Sequence, residues 1–468
     1  MQRNSIVSLV LATLFGAASL AAQSTMTPVS TFGTNGWLAP GSSAYLGTAN
    51  NERGFAYNPV TGNLILISRS GGPNIRVLNG TTGADLGGLD VTGITGGTFV
   101  INQADCAADG SIYVGNLSTA VTTAFKVYKW SSEAPAVPPT VAYNATTGMV
   151  RTGDSFAVTG GAGGNPIKFA AAGSGNASNS CFAIGTVDGS NVSQAYLSVP
   201  GTPSSTTNGY RLGMTFANAN TVIGTQGALG LVTSFGGTTA TLQASIPLSA
   251  AQRPMDYAEI AGIPLLAVAD SNSSLVSVYD ISIPTSPVLL CSGNNTTGTL
   301  TGNANGTGSV QWGAINGNTA TLYSMCSNQG IQAFQVTILA PAAARAFGTG
   351  CGSPALSLAA SGAPILPSSI TLDLTNVPAT ALAFYILGLE GIPAGAALPI
   401  APGCNQYLVP SSTTLVLPSV PGTAQYGLTI PNAPALAGLP FYSQGLSFDP
   451  VTSGIQSSNG LRIYLQTF

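Results

Sequence analysis

Apolar and polar positions alternate with period two along most of this chain, and the alternation comes in pairs. NLILIS from Asn63 ends in a turn of small polar residues, and a second alternating run, NIRVLNG from Asn74, follows it. Successive side chains of a strand point to opposite faces, so alternation on both sides of a tight turn predicts an antiparallel hairpin. The pattern returns as GSIYVGN from Gly110 with AFKVYKW from Ala124, and as CFAIGTV from Cys181 with QAYLSV from Gln194. Three further pairs are TVIGTQ and LGLVTSF from Thr221 and Leu229, PLLAVAD and LVSVYDI from Pro264 and Leu275, and TLYSMC and IQAFQV from Thr321 and Ile331. Six hairpins predict an all-β chain built by radial repetition of small sheets, a β-propeller with about 50 residues per blade. The reading is six blades. Seven is the alternative, because the long interval between the second and third hairpins has room for another. A strand near Val29 to Phe32 is placed to close the ring against the last blade.

The pattern changes after residue 340. An Ala/Pro-rich linker, residues 341–346, leads into longer apolar runs parted by proline-containing turns: ITLDLTNV from Ile370, ALAFYILGL from Ala381, TTLVLPSV from Thr413, YGLTIP from Tyr426 and LRIYLQTF from Leu461. The expected division is a signal peptide at 1–22, a propeller at 25–340, the linker, and a C-terminal β-sandwich at 347–468. A short linker between two different strand patterns implies separable domains. The signal peptide is read from Arg3, an apolar run from Ile6 to Phe15 too short to span a bilayer, and small residues from Gly16 to Ala22. It implies a secreted, periplasmic or cell-surface protein with no membrane span after cleavage.

ERGFAYNPVTGNLILISR from Glu52, GGTFVINQADCAADGSIYVGNL from Gly96 and IPLLAVADSNSSLVSVYDIS from Ile263 together resemble a family of exported bacterial proteins with propeller-like repeats and no established activity. The tail carries FGTGC from Phe347, Pro402 to Cys404, Ile430-Pro431, Gln444 and SNGLRIYL from Ser458. It resembles a module at the C-terminus of many exported planctomycete proteins. These resemblances imply secretion and fold, and they bring no catalytic residues.

Composition narrows the chemistry. The 468 residues include no histidine, 12 Lys+Arg and 15 Asp+Glu. Without imidazole the usual serine and cysteine hydrolase triads and most catalytic zinc sites cannot be assembled. A net charge of −3 over this length offers no basic patch for nucleic acid or anionic lipid. The 59 glycines and 30 prolines agree with strands and turns rather than helices. Six cysteines without a C-x-x-C pair suggest three disulfides in an exported chain, with Cys351–Cys404, Cys291–Cys326 and Cys106–Cys181 favoured by neighbourhood.

The candidate binding residues come from a finer repeat. Arg53, Arg211 and Arg253 stand at one phase of the repeat, each the same distance ahead of Leu64, Val222 and Pro264, and Tyr57 matches Tyr257. In a propeller, equivalent inner positions converge on the channel, so three guanidiniums there form a mouth for a small anion or an acidic glycan. The competing reading is architectural, each arginine being neutralised by Glu52, Asp256 or Glu259. The same three acids are the material for a histidine-free glycoside hydrolase, which needs two carboxyls at a defined separation. Asp105, Asp109 and Asp270 sit in oxygen-rich turns of the composition that holds calcium, without the full spacing of a calcium loop. No other cofactor is expected. The reading is therefore an exported, non-enzymatic binding or scaffolding protein whose partner is a small anion, an acidic glycan or a surface protein. A structural wall or matrix component is the further alternative.

Overall fold

The computed structural model describes residues 24–466 except 176–177, 189–190, 340–341, 417, 419–421, 434–435 and 437–438, so the signal peptide expected at 1–22 lies outside the described residues. Six antiparallel sheets follow one another along the first two thirds of the chain. The first four run from Glu52–Tyr57 to Asp85–Gly88, from Phe99–Cys106 to Thr140–Ala145, from Arg151–Thr159 to Asn191–Ser198, and from Gly213–Asn218 to Thr239–Pro247. The fifth runs from Gln252–Ile260 to Val288–Gly293. The sixth joins Gly308–Asn316, Thr319–Cys326 and Ile331–Thr337 to the N-terminal strand Thr25–Pro28, whose Met26 lies opposite Val336.

The alternation in the second strand of each sheet dictates how the sheets assemble. In Asn63–Ser68, Leu64 and Leu66 pack with Tyr323, Met325 and Ile331 of the sixth sheet, while Ile65 and Ile67 pack with Ile101, Ile112 and Trp130 of the second. In Ile263–Asp270, Leu265 and Ala267 face Leu322 and Val336 of the sixth sheet, whereas Leu266 and Val268 face Ile223 of the fourth. The cores between the second and third sheets, around Phe125 and Phe169, and between the third and fourth, around Phe182 and Leu231, complete the circuit. A strand apolar on both faces must be covered on both faces. With every sheet flanked twice, the first strands of the six sheets are neighbours in a closed circuit, the sixth returning to the first.

Residues 343–466 form a second unit. A five-stranded sheet that includes Leu382–Gly388, Pro440–Asp449 and Gly454–Tyr464 faces a three-stranded one made of Ser357–Ser361, Ser368–Thr375 and Thr423–Ile430. Leu358, Leu372 and Leu374 pack there with Ala383, Tyr385 and Ile463. This unit is seated on the fifth sheet: Tyr464 is part of the core between the fifth and sixth sheets, and Arg345 pairs with the buried Asp280 at 2.6 Å.

Several expectations are corrected. The strands added to the sixth sheet are Thr25–Pro28 and Trp37–Leu38, both pairing with Ile331–Thr337; between them Val29 N donates to the Ala333 carbonyl, and Phe32 enters the core between the sixth and first sheets. The long interval after the second hairpin holds the outer strand Thr140–Ala145 of the second sheet and the first two strands of the third, and no seventh sheet among the described residues. The hairpin read at Cys181 is consequently one strand late, being the third and fourth strands of its sheet. The linker of residues 341–346 is largely strand, because Ala343–Phe347 pairs with Gly454–Tyr464.

Of the six cysteines, Cys351 and Cys404 are joined, and Cys106, Cys181, Cys291 and Cys326 are free thiols. The pairing Cys106–Cys181 fails because Cys106 packs against the core between the first and second sheets and Cys181 lies in that between the third and fourth. Cys291 and Cys326 share one core, but on the outermost strand of the fifth sheet and the second strand of the sixth. Burial pushes both thiols up to about 12.

The disulfide closes a sequence separation of 53 residues, for which loop-closure entropy gives about 4 kcal/mol. Reducing agent, or the change of Cys351 and Cys404 to Ser, should lower the thermal midpoint of the C-terminal unit. A midpoint indifferent to reduction would show that the bridge contributes nothing.

Candidate functional site

The innermost strands begin at one end of the ring, and side chains at or just before their first residues line a cavity of about 390 Å³. Arg53 comes from the first sheet, Phe99 from the second, Arg151 and Asp154 from the third, Arg211 from just before the fourth and Asn305 from just before the sixth. Arg69, which follows the second strand of the first sheet, and Asn50 and Asn51 complete the rim. Four guanidiniums therefore share one cavity with one carboxylate in its lining.

Asp154 is the hub. It is 2% exposed, and its two oxygens take a forked pair from Arg151, Nε at 2.5 Å and Nη2 at 2.7 Å, while Arg211 Nε donates to Oδ2 at 2.9 Å. Arg53 stands 4.0 Å from Oδ1. Gly153 and Gly213 explain how these groups come so close: a side chain at Gly153 would strike the Asn116 carbonyl, and one at Gly213 the Arg253 carbonyl. Below the mouth the Gln103 amide donates to the carbonyls of Arg53 at 2.9 Å and Asp154 at 3.1 Å, tying three sheets together.

The guanidiniums differ in state. Arg53 is 5% exposed, its Nε has no partner, and it donates no hydrogen bond among the described residues. Burial pushes it down to about 10, and the charges of Arg69, Arg151 and Arg211 push the same way against the pull of Asp154. Arg69 is also lowered by burial, with Glu52 opposing the shift. It donates to the Asn50 and Asn51 carbonyls and lies 3.7 Å over the Phe99 ring. Arg151 is raised, chiefly by its hydrogen bond to Asp154. Buried cations short of counter-charge attract an anion strongly, since the low dielectric magnifies the interaction.

Two of the three arginines singled out in the sequence line this cavity. Arg253 is at the same end of the ring, beside Gly213 and packed on Gly306, but its Nε donates to the Ala250 carbonyl and it is not part of the lining. Tyr57 and Tyr257 are further along their strands: Tyr57 stacks on Tyr323, and Tyr257 lines a cleft of about 200 Å³ against the C-terminal unit. The expected acidic partners serve elsewhere. Glu52 accepts from Ser68, Asp256 accepts from Thr215, Tyr257 N and Trp312 N, and Glu259 lines the cleft with Arg345 and Arg462. These three acids are not brought together. Asp105, Asp109 and Asp270 each receive backbone N–H groups. Among the described residues no three acids or cysteines cluster as metal ligands.

Arg69, Arg151 and Asp154 were not anticipated. The one available signal is Arg-x-Gly: Arg151-Thr-Gly153 matches Arg211-Leu-Gly213. Reading the third hairpin one strand late hid the match.

A family model described as a domain of unknown function (DUF4623) matches residues 6–284, a span that takes in every charged residue of the mouth. No protein of curated function matches the chain. Among solved structures it is similar to a DUF4623 family protein from Bacteroides eggerthii, at 16% identity and a TM-score of 0.44, over 62% of this chain and 71% of that one. A putative oxidoreductase from Thermus thermophilus, described as a glucose dehydrogenase, is 10% identical, with a TM-score of 0.36 over 61% and 96% of the two chains. A luciferin-regenerating enzyme is 12% identical, with a TM-score of 0.39 over 63% and 93%.

Deeper in the ring, burial pushes Asp105 up to about 8 and Asp256 up to about 6, and repulsion from Asp256 adds to the shift of Asp105. A carboxyl raised in the fold favours the protonated form, so its stabilising contribution is complete below the unfolded value of about 4. It is lost progressively as pH climbs from there to the folded value. The thermal midpoint should therefore fall from about pH 4 to about pH 8, more steeply below about 6, where both carboxyls contribute, and level off above about 8. A midpoint that rises over that range would contradict these assignments.

Proposed function

Because the chain belongs to the family described as a domain of unknown function (DUF4623), which offers no activity to transfer, we propose from the site itself that this is a non-enzymatic binding protein whose ring mouth holds an anion. The carrying observation is Arg53: a guanidinium 5% exposed, without a hydrogen bond among the described residues, facing a cavity that it shares with three more arginines and one acid. A buried charge normally has a partner in the protein. Arg53 has only Asp154 at 4.0 Å, and Asp154 is engaged by Arg151 and Arg211. The vacant hydrogen-bonding capacity is that of a receptor.

The rest of the reading follows the architecture. Six sheets in a circuit, the last completed by an N-terminal strand, are read as a six-bladed propeller, a rigid platform that fixes convergent side chains. The facing sheets of residues 343–466 are read as a sandwich that serves surface attachment, sorting or assembly. Export is supported by the Cys351–Cys404 disulfide, a bond favoured in oxidising compartments. A binding role is preferred to a hydrolase because Glu52, Asp256 and Glu259 stand apart.

Titration calorimetry of the full chain with citrate should show binding that weakens as ionic strength rises. Arg53→Gln with Arg211→Gln should reduce the affinity at least tenfold, about 1.4 kcal/mol. Citrate affinity unchanged in that variant would remove the mouth from consideration.

A further inference from the structure

We infer that the anion taken by this mouth is an acidic oligosaccharide carrying two or more negative groups, uronate carboxylates or sulfate esters, rather than a bare inorganic ion. The inference rests on the anion-binding reading above and narrows it by three observations.

The first is charge. Arg53, Arg69, Arg151 and Arg211, against Asp154 in the lining and Glu52 acting on Arg69, leave two positive charges in excess. A single carboxylate does not neutralise them. A ligand with negative groups spaced along a chain does, and it meets each guanidinium with the two oxygens that the planar fork is built to hold.

The second is the division of labour among the arginines. Arg151 and Arg211 are oriented by Asp154 and keep donors to spare, since Arg211 uses only Nε on it. Arg69 is fixed over Phe99 and by the Asn50 and Asn51 carbonyls. Arg53 is held at the base with no hydrogen bond among the described residues. The cations thus come in two sets, Arg53 with Arg69 on the first sheet and Arg151 with Arg211 across Asp154. That arrangement suits two anionic groups joined by a spacer better than one.

The third is what lies between the charges. The uncharged lining includes the Asn51 and Asn305 amides, whose side chains form no hydrogen bond among the described residues, and the half-exposed edge of Phe99. Amides that donate and accept, next to an aromatic ring, are complementary to sugar hydroxyls and the apolar face of a pyranose. A bare inorganic anion leaves the aromatic edge and the amide acceptors unused. At about 390 Å³ the cavity falls in the range of sites that enclose an organic ligand.

The test is titration calorimetry of the full-length mature protein at fixed ionic strength with five probes: trigalacturonate, a disulfated disaccharide, monomeric galacturonate, inorganic sulfate and neutral maltotriose. Trigalacturonate, the disulfated disaccharide or both should bind at least tenfold more tightly than galacturonate and sulfate, and maltotriose should not bind. Which of the two binds identifies the anionic group. Arg211→Gln should lose at least tenfold while the protein keeps a cooperative thermal transition, because Arg151 still holds Asp154 with its forked pair. Asn305→Ala should weaken the oligosaccharide and leave sulfate unchanged. If sulfate binds as tightly as either oligosaccharide, the glycan inference is overturned and anion binding stands. If no anionic probe binds, both are overturned.

Discussion

The ring depends on one constraint: the second strand of each of its six sheets is apolar on both faces and must be buried on both. A sheet covered on one side only would expose Ile65 and Ile67, or Leu64 and Leu66, at roughly 1.5–3 kcal/mol for each large side chain left in water. Flanking every sheet twice closes the row into a ring, and the N-terminal strand Thr25–Pro28 completes the last sheet. Closure then brings the six innermost strands together, and the polar residues at their starts meet whether or not they attract one another. The arginine mouth is a consequence of that convergence.

Convergence of cations is costly unless it is managed, and the mouth shows how. Asp154 accepts three hydrogen bonds from two guanidiniums, Arg69 spreads over an aromatic face, and Gly153 and Gly213 allow the backbone contacts that set the spacing. Arg53 has no such arrangement, and burial with three like charges lowers its affinity for its proton. Further along the inner strands Asp105 and Asp256 each accept an N–H of a neighbouring sheet and are held above the ordinary carboxylate range by burial. The ring thus carries a cluster of guanidiniums at one end and two buried carboxyls that favour their protonated forms further in.

The hairpins were legible because period-two alternation is a local property of the sequence, and the shared phase of Arg53 and Arg211 followed from it. What escaped depended on which strand pairs with which. One strand's slip in the third sheet concealed Arg151 and Asp154, the latter the true counter-ion in place of Glu52, Asp256 or Glu259. Phase along a strand locates a residue at one end of the ring; it does not say which way a long side chain turns, and Arg253 turned to the Ala250 carbonyl. Cysteine neighbourhood succeeded for Cys351 and Cys404, within one unit. It failed for Cys106 and Cys181, which the chain carries into different cores.

The central claim is that Asp154 occupies, on the protein's own behalf, part of the guanidinium capacity that an anion would use. The measurement that tests it most directly is the citrate affinity of Asp154→Asn beside that of the unaltered protein, each with its thermal midpoint in the absence of anion. Removing one partner of a buried ion pair costs on the order of 3 kcal/mol, so the variant should melt lower when anion-free, bind citrate more tightly, and regain stability as citrate is added. A variant that melts lower yet binds citrate no better, or not at all, would show that the arginines serve Asp154 and the ring alone.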